Sequence, residues 1–195
     1  MRHSLSAFLG GAALALVPAL ASAQIAITPL AGAYIPAGDL KAVQSGAETA
    51  VVDRDGTLAL GFNLEIGMLR GSLAYASGTT IRDADEEEIG EGNVLTAAAD
   101  LVFRPLPRIL VQPYLLGGVG LKNVNFDRDE TDLLTPFPKD DSDLALHAGI
   151  GADLMLGRFG IVAELTDYIS KDEAGDWGVH DAFLMAGIKY RLGGN

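Results

Sequence analysis

Thr57-Leu58-Ala59-Leu60-Gly61-Phe62-Asn63-Leu64-Glu65-Ile66-Gly67-Met68 is the stretch that decides the fold. Leu58, Leu60, Phe62, Leu64, Ile66 and Met68 hold every second position. Ala59, Gly61, Asn63, Glu65 and Gly67 fill the places between. A period of two belongs to a strand; a helix would repeat every 3.6 residues. One face is apolar without a break, and the other is small with scattered polar groups. The segment also exceeds the ~9–11 residues that a tilted strand needs to cross a bilayer.

The same alternation recurs along the chain. Leu95, Ala97, Ala99, Leu101 and Phe103 oppose Thr96, Ala98, Asp100 and Arg104. Leu144, Leu146, Ala148, Ile150, Ala152 and Leu154 oppose His147, Gly149, Gly151 and Asp153. Ala182, Leu184, Ala186, Ile188, Tyr190 and Leu192 oppose Gly187, Lys189 and Arg191. Eight strands are expected at about Ile25–Pro36, Thr57–Met68, Gly71–Thr80, Val94–Arg104, Leu110–Phe126, Asp143–Leu156, Phe159–Ile169 and Asp181–Leu192. The connections alternate in length. Short ones fall near Leu69–Arg70, Pro105–Arg108 and Gly157–Arg158; long ones span roughly Ala37–Gly56, Ile81–Asn93, Asp127–Ser142 and Ser170–His180. An all-β, eight-stranded antiparallel up-and-down transmembrane barrel has this rhythm, with short periplasmic turns and long outer loops. A soluble barrel would place the apolar faces inside. Here the small, polar faces suit a narrow eight-stranded lumen.

Residues Met1–Ala23 read as a cleavable signal peptide. Arg2 and His3 open it, an apolar run from Leu5 to Leu20 follows, and Ala21-Ser22-Ala23 is a small-residue cleavage site. Residues 24–195 then form one domain, the barrel. There are no cysteines, so thiolate metal sites, a cysteine nucleophile and disulfides are all excluded. The net charge is −12 while mean hydropathy is +0.25. Segregation reconciles the two: most acids lie in the long loops, and Arg70, Arg104, Arg108, Arg158, Lys189 and Arg191 gather at the opposite end. Without a basic patch the chain is not expected to bind nucleic acid.

Three segments carry a resemblance to a known family: Ile27-Thr28-Pro29-Leu30-Ala31-Gly32-Ala33-Tyr34-Ile35-Pro36, Gln112-Pro113-Tyr114, and Gly187-Ile188-Lys189-Tyr190-Arg191-Leu192. With these the chain resembles the small outer-membrane β-barrels of Gram-negative bacteria, the OmpA/OmpX-like eight-stranded group. The resemblance implies a place in the cell envelope, reached by export through the periplasm. It also implies that Gly187, Tyr190 and Leu192 belong to the signal read by the outer-membrane assembly machinery. Outer-membrane lipids and lipopolysaccharide are the implied surroundings, and a monomer the implied state. No wall-binding domain is expected after the last strand.

The inward faces carry Glu65, Arg70, Asp100, Arg104, Lys122, His147, Asp153, Glu164, Lys189 and Arg191. Charges in a narrow lumen must be paired or wetted, so a structural network plugging the barrel is expected. A narrow porin-like channel is the alternative. A lipid A-modifying enzyme is a further one, since His147 and Glu164 face inward from adjacent strands; Ser142 is the nearest hydroxyl and does not share the face of the histidine. No catalytic, cofactor or metal residue is assigned. Acidic runs at Asp83, Asp85, Glu86, Glu87, Glu88 and Glu91, and at Asp127, Asp129, Glu130, Asp132, Asp140, Asp141 and Asp143, suit solvated loops. They could also hold divalent cations bridging to lipopolysaccharide phosphates. The EF-hand Gly and Glu are missing. Trp177, with Tyr34, Tyr75, Phe103, Phe159 and Tyr190, is expected at the aromatic girdles.

Overall fold

The computed structural model describes residues 24–37, 40–43, 49–82, 88–106, 110–128, 141–171 and 177–192. The signal segment lies outside the described residues, as do Asp83, Asp85, Glu86, Glu87, Asp129, Glu130, Asp132 and Asp140. Ten strands are present: β1 (Ile25–Ala37), β2 (Leu40–Val43), β3 (Thr49–Arg54), β4 (Thr57–Ile66), β5 (Leu69–Arg82), β6 (Glu88–Phe103), β7 (Val111–Arg128), β8 (Asp141–Leu156), β9 (Phe159–Lys171) and β10 (Trp177–Leu192).

Eight of them close a barrel. From β4 onward each wall strand pairs antiparallel with the next, β5 with β6 completing the circuit on one side. The ring is sealed by β1, which runs against β4 on one edge and β10 on the other, from Ile25↔Leu192 to Ala37↔His180. No wall strand keeps an open edge, so the backbone can satisfy its hydrogen bonds without water, the condition for crossing hydrocarbon.

Two differences from the sequence reading concern connections. The long connection Ala37–Gly56 is not plain loop. It holds the β2–β3 hairpin, which hangs on the long-loop end of β5 through Asp53↔Arg82 and Arg54↔Ile81. Its runs are too short for alternation to reveal them. The first short turn is Gly67–Met68 rather than Leu69–Arg70, which makes Arg70 a strand residue. Gly67 has φ 63° and Gly157 φ 69°. Tight hairpins whose twist matches the strands need positive φ, which glycine supplies without a Cβ clash.

The faces divide as the alternation implies. Leu58, Leu60, Leu73, Leu101, Leu121, Leu144, Ile150, Ile161 and Ile188 are exposed on the outer wall; Leu58 is 82% exposed. Asn63, Glu65, Arg70, Thr96, Asp100, Lys122, His147, Asp153, Glu164 and Lys189 are buried inside. The apolar surface therefore faces outward around the barrel, far beyond the patch size that a soluble monomer tolerates. The polar surface faces the axis.

Candidate functional site

The lumen is built in three polar layers. The lowest lies near the Gly67 and Gly157 turns. Glu65 and Arg70 face each other across the β4–β5 hairpin. Arg70 donates to Glu65 from Nη2 at 2.6 Å and to Glu164 from Nη1 at 2.8 Å. Arg104 reaches Glu65 at 2.7 Å and Asp153 at 3.1 Å. Lys189 reaches Glu65 at 2.9 Å and Asp153 at 2.8 Å. Asn63 and the Tyr114 hydroxyl complete the shell of Glu164, at 3.0 and 2.7 Å. Three carboxylates thus meet three cations around one tyrosine ring. The Arg70 and Arg104 guanidiniums lie 4.8 and 5.3 Å from the centre of that ring. An isolated buried ion costs several kcal/mol, about 3–5 once its partner is lost. The layer avoids that cost by being neutral as a whole.

Glycine makes room for this packing. A Cβ on Gly151 would stand 2.3 Å from the Tyr114 ring. The ring can lie flat across β8 only because that position has no side chain.

The middle layer is Asp100, His147, Ser72 and Tyr168. His147 Nδ1 lies 2.7 Å from Asp100 Oδ1, and Ser72 donates to Asp100 Oδ2 at 2.9 Å. The imidazole stacks on Tyr168 with centroids 4.1 Å apart. In the upper layer Lys122 donates to Asp181 and to Ser170, each at 2.7 Å. The Tyr34 hydroxyl also donates to Asp181. Phe183 packs between Tyr34 and Tyr168, with centroids 5.1 and 5.8 Å away.

Of the residues read from sequence, Glu65, Arg104, Asp153, Glu164 and Lys189 come together in the lowest layer. Asp100 and His147 meet in the middle, and Lys122 lies above. His147 and Glu164 both point inward from adjacent strands, and the register puts His147 opposite Tyr168 and Glu164 opposite Gly151, four residues lower, so they face different neighbours. Two expectations are corrected. Arg191 is half-buried at the end of β10 and joins none of the lumen pairs found among the described residues. Tyr34 is no girdle residue. It shares the parity of Thr28 and Leu30 on β1 and is fully buried inside.

The other girdle candidates lie on the outside. Phe159 and Tyr190 pack at 4.9 Å beside the short turns. At the opposite end, Trp177 lies under Lys171, with Nζ 5.4 Å from its ring centre. Gly187 faces the backbone of Pro29, and Leu192 is exposed at the start of the β1–β10 seam.

Tyr114, Asn63, Ser72, Ser170 and Asp181 were not singled out from sequence. Their parity on the strands was the available signal. No serine–histidine arrangement forms among the described residues: Ser72 donates to Asp100, and Ser142 is exposed beside Asn123. Among the described residues no group of three metal-ligating side chains is placed to hold an ion.

No protein-family model matches the chain, and no curated protein does. Solved structures do. The outer membrane protein OprG from Pseudomonas aeruginosa aligns with TM-score 0.65 at 14% identity, over 88% of this chain and 97% of that one. A major outer membrane protein from Thermus thermophilus aligns with TM-score 0.53 at 14% identity, over 88% of this chain and 100% of that one. At such identity the likeness is one of fold. The closed eight-stranded wall, apolar outside and charged within, is the fold of the small outer-membrane β-barrels.

Proposed function

We propose that this chain is a non-enzymatic outer-membrane barrel with a plugged lumen, acting as an envelope component through its outer surface. The observation that carries the reading is the lowest lumen layer. Glu65, Asp153 and Glu164 bind Arg70, Arg104 and Lys189 so closely that an ion entering there would have to break buried pairs. Eight strands leave an interior just wide enough for side chains. The outward apolar wall and the likeness to outer-membrane barrels support the address.

In this reading the leader directs export and is removed. The assembly machinery reads Gly187, Tyr190 and Leu192 on β10, and the barrel stays monomeric. The short turns face the periplasm. The long acidic connections face outward, where divalent cations would bridge them to lipopolysaccharide phosphates and where partners would meet them. Conductance in planar bilayers tests the plug. Negligible current is expected, and large steady single-channel currents would overturn it. Fractionation tests the address: the protein should need detergent for extraction and migrate on gels in a heat-modifiable way. Recovery as a soluble periplasmic protein would refute the reading.

A further inference from the structure

The short-turn mouth of the barrel holds two cations that no carboxylate balances among the described residues. Arg158 stands in the β8–β9 turn and Arg191 near the end of β10. The register Tyr190↔Phe159 carries on to them, and the Arg191 N–H donates to the Arg158 carbonyl at 2.9 Å. The two arginines are therefore directly opposite. Their parity is that of Gly160 and Lys189, which face the lumen, so both lie on the inner side of the rim. Arg158 is exposed and Arg191 half-buried. The acids of the adjoining layer are already taken. Glu65 accepts from Arg70, Arg104 and Lys189, Glu164 from Arg70, and Asp153 from Arg104 and Lys189. That layer is neutral, so the rim keeps two positive charges.

Like charges directly opposite on a sheet repel and destabilise it. The backbone cannot relieve this by moving apart. Arg191 is also paired with Ala26 on β1, and Gly157 at φ 69° fixes the tight turn beside Arg158. Two guanidiniums are thus held on one rigid platform at the open end of the barrel. Each is a planar fork of donors that matches phosphate oxygens in pairs. The neighbouring residues set the direction of approach. Phe159 and Tyr190, packed at 4.9 Å, turn to the outer wall, whereas the arginines one position along turn to the mouth.

We propose that Arg158 and Arg191 together bind one phosphate monoester at this mouth, a small solute of the compartment it opens to. Charge selects the ligand. A monoester carries about −1.5 to −2 at neutral pH and presents three acceptor oxygens, enough to balance and bridge both guanidiniums. A carboxylate or a phosphodiester carries a single charge and leaves the pair half-neutralised. Direction selects a solute over a lipid head, because the pair lies on the lumen side of the rim. The site needs only the fold; that its compartment is the periplasm rests on the orientation given above.

Equilibrium dialysis of radiolabelled inorganic phosphate against the barrel in a non-ionic maltoside tests this, with acetate and glycerol phosphate as competitors. One phosphate per barrel is expected. Glycerol phosphate should compete at least about tenfold better than acetate, the worth of one charge-assisted hydrogen bond. Arg158→Gln and Arg191→Gln should each weaken phosphate binding by a similar factor. Lys171→Gln, which removes the same charge at the opposite end of β9, should leave it unchanged. No saturable binding, equal competition by acetate, or a loss in Lys171→Gln equal to that in the arginine variants overturns the site. Native mass spectrometry with added phosphatidylglycerol examines the lipid source. The wild type and a variant carrying both arginine substitutions should retain that lipid equally; retention that depends on the pair overturns the choice of a solute. Heat-modifiable migration is read on the same samples. Where the wild type shows it and still binds no phosphate, the site alone fails; where the wild type lacks it, the membrane reading falls as well.

Discussion

Glu65→Gln should be the most damaging conservative substitution in the lumen. Glu65 accepts from Arg70, Arg104 and Lys189, and its side chain is only 7% exposed. The amide keeps the shape and removes the charge. Three cations then face two carboxylates, Asp153 and Glu164, and the layer carries a net +1 away from water. Breaking a buried pair by removing one partner costs about 3–5 kcal/mol, a large share of the ~5–15 kcal/mol that holds a typical domain together. Reversible urea unfolding in phospholipid vesicles measures the loss, with Trp177, the single tryptophan, as reporter. Lys189→Met supplies the control. Alone it should also destabilise, because Glu65 and Asp153 each lose a cation. Combined with Glu65→Gln it restores two carboxylates against two guanidiniums. The double variant should be more stable than the sum of the singles by about 2 kcal/mol, within the range for residues sharing a network. Losses that simply add, or a Glu65→Gln cost under about 1 kcal/mol, would refute the idea that neutrality holds this layer.

Other outcomes follow from single contacts. Gly151→Val should push the Tyr114 ring off β8 and cost about 1–3 kcal/mol by overpacking, read in the same unfolding assay. Leu60→Arg should cost about 2–4 kcal/mol in vesicles, because Leu60 is 66% exposed near the middle of the outer band. In a small detergent micelle, where water lies close, the same substitution should cost less. Gly67→Val should slow or reduce refolding, since a β-branched residue at φ 63° is strained by roughly 1–3 kcal/mol. The yield of the heat-modifiable form reports it.

Much of the wall was legible because parity is local. Whether Leu60 or Asn63 faces out is set by position along one strand, and alternation states it directly. The turn glycines were within reach too: Gly157 stands in the expected connection Gly157–Arg158, and Gly67 lies two residues before the expected Leu69–Arg70. The β2–β3 hairpin was not legible, because its two runs, Leu40–Val43 and Thr49–Arg54, are too short to show a period above chance. Nor was the burial of Tyr34: its parity pointed inward, but an aromatic near a strand end also suits a girdle. Tyr34 is settled by Asp181, which takes its hydroxyl from 147 positions along the chain.

Sequence alone determined the eight-stranded wall, the direction of its faces and most of the charges that share the lumen, though not Asp181. Those follow from a period of two, from alternating connection lengths and from the segregation of acids into loops. Tertiary structure alone decided the partners. Glu164 turned to Arg70, 94 positions away, and Asp100 to His147, 47 away. Strands in a barrel are tilted and staggered, so the height of a side chain depends on register summed around the whole ring. A single strand carries no record of that sum. The same geometry brought Asp167 beside His180 on the outer wall.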